Sequence, residues 1–227
     1  MRIALALGIL VTVATVNCGS PKPPSCSGAC GCVGNDCSCT AGGTCSFGPT
    51  SADGGVVIDG GGILPSDVTF DCNKNNTCNV TCGSNCTSNC ANSTTCNGSC
   101  GSNCTTQCEA KSTCTQSIGD NSTAKCEGTS TCNVSTGAGS TVTCGGGSIC
   151  DVTLQPSSRL DCTGTSVCNV ACADGGCTVN CSGDAKCTCS TVGCTLNCGG
   201  GADGGGGGKP AITCNGKLTC SRSGQCP

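Results

Sequence analysis

Cysteine recurs in this chain with an 18-residue period, and this period constrains the fold more than any other feature. Two such columns run through the middle of the sequence, offset from one another by six positions. A constant period of this length is typical of repeat proteins, in which each repeat packs only on its neighbours. The first column is Cys72, Cys90, Cys108, Cys126, Cys144 and Cys162, and the second is Cys78, Cys96, Cys114, Cys132, Cys150 and Cys168.

Inside each repeat, residues suited to burial alternate with polar residues, which is the pattern of a β-strand with one face turned inward. The stretch from Cys78 to Cys82 shows the first strand, with Val80 between the two cysteines on the same face. The stretch from Ser140 to Cys144 shows the second strand, which follows a short turn. We therefore predict an all-β, disulfide-stapled β-solenoid (β-helix) with 18-residue coils of two short strands.

A three-sided coil of hexapeptides is the alternative, because three hexapeptides also make one coil of this length. It requires a third inward column, but those positions hold residues typical of turns, such as Ser84, Asp120 and Pro156. We favour the two-strand coil for this reason. Glycine also heads the short turn of four repeats, which predicts either a positive φ or a close backbone approach there. These glycines are Gly83, Gly101, Gly119 and Gly137.

Cysteines that are present or missing together in a repeat predict the disulfide pairs. Some repeats have an extra pair flanking the short turn, and others replace both members, for instance by Ile118 and Ser122. The predicted short-turn pairs are Cys82–Cys86, Cys100–Cys104, Cys172–Cys177 and Cys189–Cys194. The predicted long-turn pairs are Cys72–Cys78, Cys90–Cys96, Cys108–Cys114, Cys126–Cys132, Cys144–Cys150 and Cys162–Cys168. Bridges between stacked coils remain an alternative, because neighbouring coils also fall within the roughly 4.4–6.8 Å Cα separation that a disulfide requires.

The cysteine content also indicates the compartment. The chain has 33 cysteines in 227 residues, no His, Trp or Tyr, and two Phe, so it lacks the large apolar side chains of an ordinary globular core. Such a composition is typical of a disulfide scaffold in an oxidising compartment. The net charge is −3, and no basic stripe or aromatic platform suggests binding to nucleic acid. No motif implies a cofactor.

The amino terminus predicts export. Arg2 is followed by the apolar run 3–16, which has the length of a signal peptide and is too short to span a membrane comfortably. Residues 15–18 (TVNC) stand where a bacterial lipoprotein precursor has its lipobox, and the chain resembles that family in this region. The resemblance implies an acylated Cys18, a membrane partner through the lipid anchor, and an outer-membrane, periplasmic or cell-surface location. Without Cys18, 32 cysteines remain, an even number that can pair completely; an ordinary secreted protein is the alternative.

Changes in composition divide the chain into six segments. We expect a signal peptide at 1–17, the lipidated cysteine and a Pro-rich tether at 18–25, a cysteine knot or N-terminal cap at 26–53, β-solenoid repeats at 54–198, a Gly-rich loop at 199–209 and a C-terminal cap at 210–227. The cysteine-free stretch 53–71 is interpreted as a degenerate coil. Gly176 is interpreted as a one-residue insertion, and Cys198 and Cys226 are expected to pair.

Candidate catalytic residues are few. Without His there is no Ser–His or Cys–His dyad, and the carboxylates are scattered along the chain. We therefore predict a non-enzymatic protein with a structural or binding role; the sequence does not identify a protein or polysaccharide partner. Metal sequestration is a further alternative, because reduced thiolates select zinc or copper(I). A complete set of disulfides would exclude it.

Threonine residues recur on the outward side of both strands and are the candidate surface-binding residues. They are Thr77, Thr95, Thr113 and Thr131 on the first strand, and Thr69, Thr87, Thr105, Thr123 and Thr141 on the second. A threonine array on a disulfide-filled solenoid resembles the cysteine-rich antifreeze proteins of insects, whose Thr-x-Thr pairs occur here at 113–115 and 141–143. The resemblance implies binding to ice or to a polysaccharide surface through outward Thr and Asn ladders.

Overall fold

All regular structure in the described part of the chain is β-strand, as the alternating sequence predicts. The computed structural model describes residues 25–27, 30–33, 36–39, 44–48, 67–72, 77–191, 193–199, 211–214 and 217–218. The strands are β1 (Ser25–Ser27), β2 (Cys30–Val33), β3 (Asp36–Cys39), β4 (Thr44–Gly48), β5 (Thr69–Cys72), β6 (Thr77–Cys82), β7 (Thr87–Cys90), β8 (Thr95–Cys100), β9 (Thr105–Cys108), β10 (Thr113–Ile118), β11 (Thr123–Cys126), β12 (Thr131–Thr136), β13 (Thr141–Cys144), β14 (Ile149–Leu154), β15 (Arg159–Cys162), β16 (Val167–Cys172), β17 (Cys177–Ser182), β18 (Lys186–Cys189), β19 (Cys194–Gly199), β20 (Ala211–Cys214) and β21 (Lys217–Leu218).

The strands form two mainly parallel sheets, and each coil contributes one strand to each sheet. Sheet A has 11 strands in the order β1-β4-β6-β8-β10-β12-β14-β16-β18-β20-β21, and sheet B has 10 in the order β19-β17-β15-β13-β11-β9-β7-β5-β3-β2. Strands of neighbouring coils pair one repeat apart, so that Thr95 pairs with Thr77 on one side and with Thr113 on the other. The chain is therefore a β-solenoid of about seven turns, and the predicted two-strand coil is confirmed.

Cysteine sulfur and branched aliphatic side chains fill the interior between the two sheets. Strand β12 alternates exposed and buried residues along its whole length, with Cys132 and Val134 turned inward. Strand β13, in the facing sheet, buries Val142 and Cys144. The predicted inward sets of both strands are thus confirmed, and the space between the sheets holds side chains no larger than leucine in these coils.

Buried serine hydroxyl groups complete the long turns. Ser112, Ser130, Ser148 and Ser166 occupy the same place in successive coils and are all buried. The Ser148 hydroxyl donates to the Gly145 carbonyl at 2.6 Å, and the Ser166 hydroxyl donates to the Thr163 carbonyl at 2.6 Å. These bonds satisfy buried polar groups at the points where the chain leaves the strand ladders.

Backbone packs closely against backbone where the short turns of neighbouring coils meet. A Cβ atom on Gly119 would lie 2.7 Å from the carbonyl carbon and oxygen of Gly101 in the preceding coil. Positive φ angles occur two residues after the glycine column instead, at Asn85, Asn103 and Asn121, with values of 59°, 59° and 54°. Asparagine tolerates the left-handed conformation better than most residues. Of the two explanations for the glycine column, close approach is therefore the correct one.

The regular register is lost towards the C-terminal end of the solenoid. In the strand ladder of sheet B, Cys181 lies beside Cys162, and Cys198 lies beside Cys181. The step between these coils is therefore first one residue longer and then one residue shorter than the regular period. The turn that precedes β17 contains Asp174, Gly175 and Gly176, and all three have a positive φ. This longer turn agrees with the insertion predicted at Gly176.

Of the cysteine-free stretch 53–71, interpreted from sequence as a degenerate coil, the described residues are 67–71, and they contribute strand β5 to sheet B. Strand β3 pairs with β5, and β4 pairs with β6, so that Cys37 lies beside Phe70 and Cys45 lies beside Cys78. The two coils are thus direct neighbours, although their paired residues are separated in sequence by much more than one regular repeat. Strands β3 and β4 therefore continue sheets B and A at their N-terminal end, next to β5 and β6.

At the C-terminal end, β20 extends sheet A beside β18, and β21 folds back antiparallel to β20. The predicted signal peptide, tether, Gly-rich loop and Cys198–Cys226 bridge lie outside the described residues. Within the described ranges, no helix has the length and apolar character needed to cross a membrane.

We expect Gly119→Ala to lower the free energy of unfolding by about 1–3 kcal/mol, because the added methyl group overlaps the backbone of the preceding coil. Gly147→Ala is the matched control, since its Cβ would lie 3.5 Å from the nearest atom, Thr165 Oγ1. Chemical denaturation of the two disulfide-intact variants measures the difference. Equal stability of the variants would contradict the close approach.

Candidate functional site

The disulfides close turns within single coils and so tie sheet A to sheet B. The described bridges across long turns are Cys72–Cys78, Cys90–Cys96, Cys108–Cys114, Cys126–Cys132, Cys144–Cys150, Cys162–Cys168 and Cys181–Cys187. Those across short turns are Cys82–Cys86, Cys100–Cys104 and Cys189–Cys194. The disulfides predicted from cysteines that occur together in a repeat are therefore present, except for one. From Cys72 to Cys194, no bridge joins two stacked coils.

The exception is the predicted Cys172–Cys177 bridge, because both thiols are free and buried. The turn between them is one residue longer than the turn between Cys82 and Cys86. The Sγ atom of Cys172 instead lies 2.9 Å from Sγ of Cys194 in the next coil. The turn between Cys189 and Cys194 has the same length and is bridged, so the added residue alone does not prevent a short-turn disulfide.

Both free thiols are held in the protonated form. Burial raises the pKa of Cys172, although a hydrogen bond from Cys177 partly offsets this effect. Burial, the hydrogen bond to Cys172 and the charge on the Cys172 sulfur raise the pKa of Cys177 to about 12.

Several other groups of cysteine sulfurs lie close together, but they are stacked disulfides. These groups are Cys90, Cys96 and Cys114; Cys108, Cys126 and Cys132; Cys144, Cys162 and Cys168; and Cys162, Cys181 and Cys187. Each of these sulfurs is bonded to another sulfur and offers no thiolate to a metal ion. From Cys72 to Cys194, the thiols available for metal sequestration are Cys172 and Cys177.

The outward side of sheet A carries a regular array of small polar residues. Strands β6, β8, β10 and β12 each point three side chains outward, and none of the twelve is charged. We call this surface the hydroxyl–amide face. Its residues are Thr77, Asn79, Thr81, Thr95, Asn97, Ser99, Thr113, Thr115, Ser117, Thr131, Asn133 and Ser135.

The spacing of the hydroxyl–amide face is set by the parallel strand ladder. Neighbouring coils bring Thr77, Thr95, Thr113 and Thr131 into register, about 4.7–4.9 Å apart. Along a strand, outward residues are separated by about 6.6–6.8 Å. Neighbours in a column also bond to one another, as Asn97 Nδ2 donates to Asn79 Oδ1 at 3.1 Å. Each such bond uses only part of the hydrogen-bonding capacity of an amide, and the remainder faces outward.

The second threonine column lies on a different face. Thr69, Thr87, Thr105, Thr123 and Thr141 begin the strands of sheet B and are half-buried. Most strands of that sheet have four residues and point only two side chains outward, and Lys125 and Asp161 introduce charge there. The nine threonines identified from sequence therefore do not form one array, because they are divided between two sheets.

The hydroxyl–amide face ends where the next coils change its chemistry. Ile149 continues the Thr131 position and is 47% exposed, and Asp151 continues the Asn133 position. Further along, Lys186 replaces the same threonine. The uniform part of the face thus covers the coils of β6 to β12.

Carboxylates on the described surface take part in side-chain ladders. Asn89 Nδ2 donates to Asp71 Oδ1 at 2.7 Å, and Asn169 Nδ2 donates to Asp151 Oδ1 at 2.7 Å. Asp161 accepts a hydrogen bond from Asn180 at 2.6 Å and forms an ion pair with Arg159 at 2.7 Å. These contacts join neighbouring coils or neighbouring positions on one strand. They give Asp71, Asp151 and Asp161 a structural role on the surface.

Comparison with known proteins finds no matching family model, no similar curated protein and no similar solved structure.

We expect Asn89→Asp to lower the free energy of unfolding at pH 7 by about 1–3 kcal/mol, because it replaces a charge-assisted hydrogen bond to Asp71 by like-charge contact. Asn97→Asp is the matched control, since its partner Asn79 is neutral and donates to the new carboxylate after an amide flip. Chemical denaturation of both variants tests this difference. A loss in Asn97→Asp as large as that in Asn89→Asp would contradict the role assigned to Asp71.

Proposed function

We propose that this protein is an exported, non-enzymatic lipoprotein whose β-solenoid displays a binding surface for an ordered, hydroxyl-rich partner. The observation that carries this proposal is the uncharged, in-register array of the hydroxyl–amide face. A polysaccharide and ice are the two partners with this chemistry. The proposal assigns binding to sheet A rather than to all nine threonines.

Export is supported by the disulfides. Ten bridges in the described residues indicate an oxidising compartment, such as the periplasm or the outside of the cell. The apolar run 3–16 supplies the export signal, and Cys18 supplies the acylation site at the membrane. The lipid holds the solenoid at the surface, and residues 19–25, which contain three prolines, separate the two.

Rigidity supports binding through many weak contacts. Each outward side chain stands on a strand whose backbone is bonded to both neighbouring coils. A disulfide closes the turn at both ends of β6 and β8 and at one end of β10 and β12. Little conformational entropy is then lost when the face meets a partner, so that individually weak hydrogen bonds add up. A repeating partner suits this geometry, because the same contact recurs at every coil.

The two partners differ in what they require of the face. Sugar hydroxyls accept and donate hydrogen bonds, which suits the amides of Asn79, Asn97 and Asn133. The insect antifreeze resemblance depends on Thr-x-Thr, and Thr113–Thr115 is the pair of this kind on the hydroxyl–amide face. The asparagine column therefore favours the polysaccharide.

We expect Thr95→Lys combined with Thr113→Lys to weaken binding to an insoluble polysaccharide by about tenfold or more, because two strongly hydrated charges enter the uncharged array. Thr105→Lys combined with Thr123→Lys changes the equivalent column of sheet B and is the matched control. Co-sedimentation with insoluble polysaccharides measures binding, and recrystallisation and thermal hysteresis assays measure ice binding. Inactivity of the parent protein in all of these assays, or equal loss in both double variants, would refute the assignment.

Lipidation makes a separate prediction. In a bacterial host, Cys18→Ser is expected to abolish incorporation of labelled palmitate and to release the protein from the membrane fraction, because serine offers no thiol to acylate. A Cys26→Ser variant, which changes a nearby cysteine, controls for disturbed folding. Unlabelled parent protein in the soluble fraction would favour the ordinary secreted form.

A further inference from the structure

The sulfur atoms at the irregular end of the solenoid form a cluster unlike those in the regular coils. Cys172 and Cys177 are free thiols, and Cys189 and Cys194 form a disulfide in the next coil. Sγ atoms of Cys172, Cys189 and Cys194 all lie within 4.8 Å of one another. A buried thiol is thereby placed directly against a buried disulfide.

We propose that these four cysteines form a thiol–disulfide exchange site, in which Cys172 attacks the Cys189–Cys194 bridge at the sulfur of Cys194. The carrying observation is the 2.9 Å separation between Sγ of Cys172 and Sγ of Cys194. Exchange requires direct contact between the attacking sulfur and a disulfide sulfur, and this distance provides that contact. The inference is independent of what the hydroxyl–amide face binds.

The step balances within the cluster and requires no external oxidant or reductant. Cys172 loses its proton, and its thiolate forms a bond to Sγ of Cys194. The Cys189–Cys194 bond breaks, and its electron pair leaves on Cys189, which takes up a proton. One disulfide and two thiols are present before and after the step, but the bridge now joins two coils instead of closing one turn.

Cys177 has a supporting role. Its thiol hydrogen-bonds to the Cys172 sulfur, and this bond favours the ionised form of Cys172. Cys172 nevertheless remains largely protonated at neutral pH because it is buried. Exchange is therefore expected to be slow at neutral pH and to accelerate about tenfold for each unit of pH below the pKa of Cys172.

The neighbouring coils explain why exchange is confined to this place. In the coils of β10 to β15 the short-turn positions hold other residues, such as Ile118 and Ser122, or Leu154 and Ser158. The long-turn bridges form a separate stack in which every sulfur is bonded. From Cys72 to Cys194, free thiols lie beside a bridge only at the turn that contains Gly176.

The test follows which cysteine becomes available to a small alkylating reagent in the folded protein. The full chain, purified from an oxidising compartment without reductant, is incubated with iodoacetamide at several pH values. It is then denatured, labelled with a second reagent of different mass, digested without reduction and mapped by mass spectrometry. We expect the first label to accumulate on Cys189, together with a Cys172–Cys194 cross-linked peptide, and to do so faster as the pH rises.

Two variants separate exchange from simple opening of the bridge. Cys172→Ser removes the nucleophile and is expected to reduce first-reagent labelling of Cys189 to background. Cys177→Ser keeps the nucleophile and is expected to retain that labelling at a lower rate. Label confined to Cys172 and Cys177 in the parent protein would overturn the proposal, as would a Cys172–Cys177 disulfide with no free thiol in the cluster. Unchanged labelling of Cys189 in Cys172→Ser would also overturn it.

Discussion

The disulfide across each long turn is the constraint on which the rest of this structure depends. Each coil has so few inward positions that apolar burial cannot offset the entropy lost in ordering its backbone. A bridge that closes a loop of about six residues contributes about 2 kcal/mol on the chain-entropy estimate. Repeated in every coil, it supplies stability in proportion to length. It also fixes the distance between sheet A and sheet B, because the Cα atoms of the bridged residues lie 6.3–6.5 Å apart.

Because the bridges close within coils, backbone hydrogen bonds and close packing must hold one coil against the next. This explains why the turns are as strictly arranged as the strands. Gly119 allows the backbone of one short turn to rest on the turn before it, and Asn121 reverses the chain in a left-handed conformation. The backbone N–H of Asn121 donates to the Ala138 carbonyl of the following coil at 2.9 Å. The coils are thus stacked through their short turns as well as through their strands.

Local patterns made much of this fold predictable. Alternation in stretches such as 78–82 identified the strands, and cysteines that occur together identified nine of the ten pairs proposed, including Cys82–Cys86. What could not be predicted depends on how distant segments meet. In the strand ladder, Cys45 lies beside Cys78, which is much more than one repeat away in sequence, and no local pattern indicates that these two strands are neighbours. Likewise, Cys172 and Cys177 have the same spacing in sequence as Cys189 and Cys194, which are bridged, so spacing alone could not predict that Cys172 lies against Cys194 instead.

The same dependence explains the candidate site. A constant step in sequence identifies residues that stack in successive coils. Which of these stacked series share one surface depends on the sheet to which each belongs, and the two threonine series lie in different sheets. The hydroxyl–amide face coincides with coils that keep the strict register, from Thr77 to Ser135. Beyond it, a charged residue and an exposed isoleucine occupy the face. Further along the solenoid, one coil is a residue longer and the next a residue shorter than the regular repeat. A surface that matches a repeating partner needs constant spacing, whereas sulfur exchange needs a place where the repeat is broken. The solenoid provides these two conditions at different positions along its axis.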